Sequence, residues 1–227
     1  MKENLYIQYE NNFFDKIINK KRIEMVDLIK KNIDISKIDD LLDIGTTEDF
    51  TAKSSNVFCK MLDSIKIHKS ISNQKITNKR FALCLEKSIT EAFDKRLIDD
   101  FKSDLVVSSA TIEHVGNFEN QVKKVKNMIS LSKKYIVLST PNRFYPVEFH
   151  TKLLFVHWLP KNFFRKILLF FKMNYFADQN NLNLLSKKEL IEILDKFSDK
   201  INYKIYNIRF LGFISNFFVI GELKDNK

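Results

Sequence analysis

Of the four histidines in 227 residues, three fall in one stretch: His114, directly after Glu113, then His150 and His157. Imidazole titrates near neutrality, so it is the natural side chain for taking a proton from a hydroxyl during group transfer. His114 and His150 are therefore the candidate proton acceptors, with Glu113 beside the first. Each also has a plainer role open to it: Glu113-His114 can cap the segment that follows, and His150 and His157 can pack around Phe155 and Trp158. Glu148, His150 and His157 are metal-ligand types, but their spacing suits no standard site and no metal is expected. Asn142, Arg143 and His157 are candidate substrate contacts. The Arg143 fork can clamp an anionic substrate or pair with a surface carboxylate. A second suggestive segment is Asp43-Ile44-Gly45-Thr46-Thr47-Glu48-Asp49, where an apolar run stops at a glycine and gives way to hydroxyls and acids.

These residues act together only if the chain delivers them to one edge. Residues 37–45 read as a buried strand entering a turn, and 65–71, 81–85, 105–109 and 135–140 as further strands. LVVSS and YIVLST are β-branched runs, the second stopped by Pro141. Between them Phe118, Val122, Val125 and Ile129 recur at helical spacing behind Asn117 as N-cap, making a strand–helix–strand crossover unit. Helical spacing also marks Phe13, Phe14, Ile17 and Ile18, then Met25, Val26 and Ile29. Beyond Pro146 the texture turns aromatic and basic, with Phe163, Phe164, Ile167, Leu168 and Phe171 on one helical face. Ser186 and Glu189 form a capping box ahead of Leu190, Ile193, Leu194 and Phe197. The tail reads as two strands, 201–210 and 215–222, around Gly212. The expected fold is α/β: a doubly wound, mostly parallel sheet with helices on both faces and a C-terminal antiparallel hairpin. One domain, 1–227, is expected, with 1–36 as a helical lead and 146–185 as a lid or insertion. In such sheets ligands bind beyond the carboxyl ends of the strands, which is where the residues named above fall.

Composition narrows the classes. With 44% hydrophobic and 29% charged residues the chain is globular, and its length suits one core. Cys59 and Cys84 form no CxxC pair, so a reducing cytoplasm is the expected compartment. The opening residues are too often charged for a signal peptide, and the greasy stretch 153–175 is interrupted by Pro160 and several cations, so no membrane span is expected. The 38 Lys+Arg against 28 Asp+Glu leave a net charge of +10, spread along the chain as a solvated lysine background without a basic block. Specific nucleic-acid binding is not expected, and the aromatic and basic stretch 155–175 suits a lid, with weak peripheral membrane contact as its alternative.

Asp43-Ile44-Gly45-Thr46-Thr47-Glu48-Asp49, Ser108-Ser109-Ala110-Thr111-Ile112-Glu113-His114-Val115 and Ser139-Thr140-Pro141-Asn142-Arg143, in that order, resemble class I S-adenosylmethionine-dependent methyltransferases, in the ubiquinone-methyltransferase-like branch. The family's fold is Rossmann-like. The resemblance spans 37–190 and implies methyl transfer from S-adenosyl-L-methionine to an oxygen, less readily a nitrogen or carbon, of a small molecule, glycan or lipid-linked intermediate. It places Gly45 at the first motif glycine and Asp43 at the acid that sets the loop and faces the cofactor. Thr46, Thr47 and Asp49 stand where further glycine is usual. Asn73 replaces the usual ribose-binding acid after the second strand, Glu86 stands near the adenine, and Ser108 and Ser109 line the fourth strand's end. The departures leave a second implication open, a catalytically weak relative serving as a binding or scaffold subunit.

Overall fold

The computed structural model describes residues 12–51 and 55–224. Seven strands form one sheet in the order β3-β2-β1-β4-β5-β7-β6: β1 Asp40–Ile44, β2 Ile67–Ser72, β3 Leu83–Glu86, β4 Ser103–Ser109, β5 Ser132–Pro141, β6 Ile201–Phe210 and β7 Phe213–Leu223. The first five pair in parallel, while β7 runs antiparallel to both β5 and β6. The strand order reverses at β1 and β4, so the crevice expected to take ligand opens between their carboxyl ends.

Alternation along the strands divides the core in two, because successive side chains point to opposite faces. Leu41, Leu105, Val107, Val137 and Phe218 meet α1 (Asn12–Asn32) and α2 (Val57–Met61) through Met25, Val26, Ile29 and Phe58. Leu42, Val106, Ile136, Leu138 and Val219 meet α4 (Phe118–Ser130) and α7 (Lys187–Asp195) through Val125, Met128, Leu190 and Ile193. The short α3 (Lys95–Phe101) adds Phe101 to the second layer. The side chains of Phe13, Phe14, Ile17 and Ile18 lie outside the described residues.

Local signals operate where the sequence places them. The Asn117 side chain accepts from the Asn120 amide to start α4, and Ser186 and Glu189 make both hydrogen bonds of the capping box before α7. α4 runs back beneath the end of β4, where Lys124 meets Thr111, and α7 follows directly on segment 146–185. Within 146–185, α5 (Lys161–Phe170) and α6 (Asn174–Ala177) share a small apolar cluster of their own built on Phe164, Leu168, Leu182 and Leu184. No helix among the described residues is long and apolar enough to cross a membrane.

Candidate functional site at the carboxyl edge

The turn leaving β1 is fixed by Gly45, whose φ of +89° is left-handed and whose amide donates to the Ile71 carbonyl at 2.9 Å. A Cβ there would lie 2.5 Å from Thr111 Cγ2, so the glycine lets the loop after β4 close onto the turn. Asp43 sets this loop by accepting from Thr46 Oγ1 at 3.0 Å. Its expected role facing the cofactor is corrected: the carboxyl is buried against protein, and desolvation pushes its pKa up to about 6 against the pull of Cys59, Thr46 and Lys124. The Thr47 amide, where the resemblance implies bare glycine backbone, donates to Asn56 Oδ1 at 2.9 Å, and Asn56 returns a bond to the Thr47 carbonyl. Glu48 accepts from the Thr77 amide at 2.9 Å. Asn73 and Glu86, at the ends of β2 and β3, are exposed on the same edge. Ser109 is half-buried and shares a hydroxyl contact of 3.2 Å with Ser139. Ser108, in contrast, is fully buried and buckles β4 to β1 by donating to the Ile44 carbonyl at 2.9 Å, so it holds the loop and presents nothing to a ligand.

Beneath the two loops lies Lys124, which the reading of the lysines as a solvated background missed. It is fully buried, donates to Thr111 Oγ1, and is pushed down to about 7 by desolvation, opposed by the charges of Glu113 and Asp43. The signal was present in the sequence: Gln121, Lys124, Val125 and Met128 fall at i, i+3, i+4 and i+7, one stripe of α4, and all four are buried.

The 3-10 turn Ile112–His114 carries Glu113 inward. One carboxylate oxygen accepts from Thr140 Oγ1 at 3.1 Å; the other, Oε1, is buried with no hydrogen-bond partner among the described residues. His114 places Nδ1 2.6 Å from the Asn181 carbonyl and Nε2 4.0 Å from Glu113 Oε1. Burial lowers its pKa and favours the neutral ring. His150 comes from segment 146–185, 4.8 Å from His114 ring to ring and nearly perpendicular to it. Its Nδ1 sits 2.6 Å from Glu148 Oε1, and the Glu148 carboxylate also takes the His150 and Thr151 amides. Burial acts against ionisation of Glu148, yet these bonds hold it at about 2; for His150 burial is likewise outweighed by Glu148, and the ring is raised. The fold thus brings His114, His150 and Glu113 together from two distant segments, with ligating atoms all within 4.8 Å of one another. Glu148, His150 and His157 do not form one cluster: His157 turns away to donate from Nε2 to the Tyr145 carbonyl at 2.7 Å.

The remaining candidates bond to backbone at the start of segment 146–185. Asn142 Nδ2 donates to the Ile214 carbonyl at 2.8 Å, and Arg143 donates to the His157 and Leu159 carbonyls at 3.2 and 2.7 Å. The fork clasps backbone and borders a small hollow lined with His157, Lys161 and Asn183.

Sheet order, antiparallel β7 and the edge bearing these residues define the Rossmann-like fold of class I S-adenosylmethionine-dependent methyltransferases. Solved structures bear this out. The magnesium protoporphyrin IX methyltransferase of Synechocystis PCC 6803, with bound SAH, superposes at a TM-score of 0.55 with 9% identity over 97% of this chain and 91% of that one. The N-methyltransferase NodS of Bradyrhizobium japonicum WM9, in complex with S-adenosyl-l-homocysteine, gives 0.56 with 9% identity over 95% and 90%. The methyltransferase domain of bacterial CtHen1-CN gives 0.57 with 15% identity over 91% and 100%. No family model and no curated protein matches the sequence.

Proposed function

We propose that the protein is an S-adenosylmethionine-dependent methyltransferase acting on a hydroxyl oxygen. The observation that carries this reading is the convergence of His114, His150 and Glu113 at the carboxyl end of β4, beside the glycine turn of β1, on the edge where doubly wound sheets take their ligands. The residues fit the cofactor: Asn73 and Glu86, exposed at the ends of β2 and β3, can offer acceptors to ribose hydroxyls and an adenine amine, and Gly45 makes the tight turn. S-adenosylmethionine supplies a methyl group already activated as a sulfonium, which leaves the protein alignment and proton removal.

The chain's own residues divide that task. Glu113 and Lys124 fix the floor of the site, and the lid brings His150 opposite His114. In the transfer the acceptor oxygen bonds to the methyl carbon, the methyl–sulfur bond breaks with its electron pair on sulfur, and the hydroxyl proton leaves through the histidine cluster. A small molecule, glycan or lipid-linked intermediate is the acceptor class. Exposed Phe155, Phe163, Phe170 and Phe171 beside Lys166 and Lys172 favour an acceptor with an apolar portion, and weak attachment to an anionic membrane face. Nucleic acid would be held only nonspecifically and released by salt. One domain with 146–185 as a lid completes the reading.

Incubating the full chain with labelled S-adenosylmethionine and fractionated extract of its own cells tests it. Labelled product lost in His150→Ala, with cofactor affinity retained, is expected. Cofactor binding without transfer to any fraction would leave the scaffold reading.

A further inference from the structure

We infer that the hollow between Arg143 and the start of α5 is a site for a phosphate monoester that carries an apolar chain; as a statement about the methyl acceptor this rests on the methyl-transfer reading, and as a binding site it does not. Three cations line the hollow: Arg143, Lys161 and Arg165. Lys161 is matched, its ammonium bonded to Glu189 Oε1 at 2.7 Å and to Asn183 Oδ1 at 2.9 Å. Arg143 donates from Nε and Nη2 to two carbonyls, which carry no net charge, and Arg165 makes no ion pair or hydrogen bond among the described residues. Burial disfavours the charge on Arg143, Glu189 supports it, and the nearby Arg165 opposes it. Helix α5 also begins here behind Pro160, which offers no side chain to its first amides, so its positive end adds to the field. The two guanidinium groups are short of an anion, and their planar forks match the oxygens of a phosphate or a carboxylate.

His157 decides between those two anions. Its ring lines the hollow and is only 1% exposed; Nε2 donates to the Tyr145 carbonyl at 2.7 Å, while Nδ1 is buried with no hydrogen-bond partner among the described residues. A carbonyl only accepts, so in the neutral ring the proton is on Nε2 and Nδ1 holds a lone pair. A buried acceptor without a donor is costly. A carboxylate has no donor near neutral pH, whereas a singly protonated phosphate monoester brings oxyanions for the arginines and one P–OH for Nδ1. The rim sets the rest of the ligand, because the hollow is small and leaves anything beyond a head group outside. Phe144 is 46% exposed, its ring lies 5.4 Å from the Arg143 guanidinium, and it meets Trp158 edge-on at 6.5 Å. Phe155 adjoins Trp158 at 4.9 Å, and both are as exposed as Phe144 or nearly so. Three exposed aromatic rings joined to the anion site through Arg143 suit an alkyl chain whose head sits in the hollow.

The full chain is titrated calorimetrically with octyl phosphate below its micelle concentration, with inorganic phosphate and with octanoate, at about pH 6, where a phosphate monoester keeps much of its second proton. One-to-one binding of octyl phosphate is expected, at least about 10-fold tighter than either of the others. Arg165→Gln should weaken it about 10- to 100-fold, and because Arg165 bonds to nothing in the fold, circular dichroism should be unchanged. Phe144→Ser should bring octyl phosphate close to inorganic phosphate and leave inorganic phosphate where it was. Lys166→Gln, at the exposed neighbour of Arg165, should change neither. No saturable binding up to about millimolar octyl phosphate on folded wild-type chain, equal affinity for octanoate, or a loss no greater in Arg165→Gln than in Lys166→Gln overturns the site. Vesicles of phosphatidylglycerol, a diester without a P–OH, should not compete; competition would assign the hollow to a membrane head group and overturn the monoester. S-adenosylhomocysteine is titrated into the same samples: its binding without octyl phosphate leaves the methyl-transfer reading standing alone, and octyl phosphate binding without it leaves the phosphate site standing without methyl transfer.

Discussion

Asp40 and Asp43 sit on the same strand, both buried, at opposite ends of the sheet's β1 and in opposite electrostatic circumstances. Asp40, at the amino edge, accepts the Asp104 amide at 2.7 Å and meets the Lys69 and Lys133 ammonium groups at 3.1 Å each. Asp104 repeats the pattern with the Asp39 amide at 2.9 Å and Lys134 at 3.3 Å. Burial opposes the ionisation of Asp40, but the backbone bond and the two lysines outweigh it and hold the carboxyl below its usual range. At the carboxyl edge Asp43 rises to about 6, Lys124 falls to about 7, and Glu113 Oε1 goes without a hydrogen bond among the described residues. The amino edge has its charges matched. The carboxyl edge is short of partners, and sites built to receive charged or polar ligands are where such deficits accumulate.

Substitutions at the two edges sharpen the contrast. Gly45→Val should have the largest effect, lowering stability by about 3–4 kcal/mol in thermal or denaturant unfolding, since it combines a left-handed φ on a β-branched residue with collision against Thr111. Gly212→Ala, at φ +83° with open space around it, should cost only about 1 kcal/mol by the same measurement. Lys124→Met should cost about 3 kcal/mol at pH 7, where Lys124 still carries part of its charge and its loss strands buried Asp43 and Glu113. At pH 5 the loss should be smaller, since Asp43, titrating at about 6, is by then mostly protonated. Equal losses at the two pH values would show that Lys124 is held by packing instead.

The aspartate pair gives opposite slopes. Asp40, depressed in the folded chain, contributes stability above its unfolded value of 3.8 that is lost as pH falls through the lower folded value. Asp40→Asn should therefore cost about 2 kcal/mol at neutral pH, less than a fully buried pair because Lys133 is 43% exposed, and the cost should vanish in acid. Asp43, raised in the folded chain, makes stability decline as pH climbs from 3.8 to about 6. Asp43→Asn should flatten that decline and leave neutral-pH stability within about 1 kcal/mol of wild type. Arg143→Lys, which replaces a planar fork on two carbonyls with a point donor, should cost about 1 kcal/mol and loosen the segment it clasps, visible as faster amide exchange around 157–159.

Sequence alone reveals the scaffold better than the site, for a physical reason. Strands such as LVVSS and YIVLST, the Asn117 cap and the Ser186-Glu189 box are local patterns, and local patterns survive folding unchanged. The site depends on long-range meetings. His150 reaches His114 only because Glu148 gathers the amides of its own turn and because the carbonyl of Asn181, from the far end of segment 146–185, accepts from His114 Nδ1. No spacing in the chain encodes that meeting, and the linear search for metal ligands grouped His150 with His157, which the fold sends to Tyr145. Lys124 was hidden by its chemistry: a lysine is read as solvated unless the helical stripe on which it lies is followed residue by residue. Asn142 and Arg143 were legible as a motif, but the backbone carbonyls that occupy them belong to loops whose paths no pattern gives.

Calorimetric titration of the full chain with S-adenosylhomocysteine tests the central claim, that the carboxyl edge is unmatched because it receives a nucleoside cofactor. One-to-one binding is expected, weakened by Asn73→Ala and Glu86→Ala at the carboxyl edge and unchanged by Lys133→Ala at the amino edge. Absence of binding up to about millimolar ligand, with the chain folded, would contradict it.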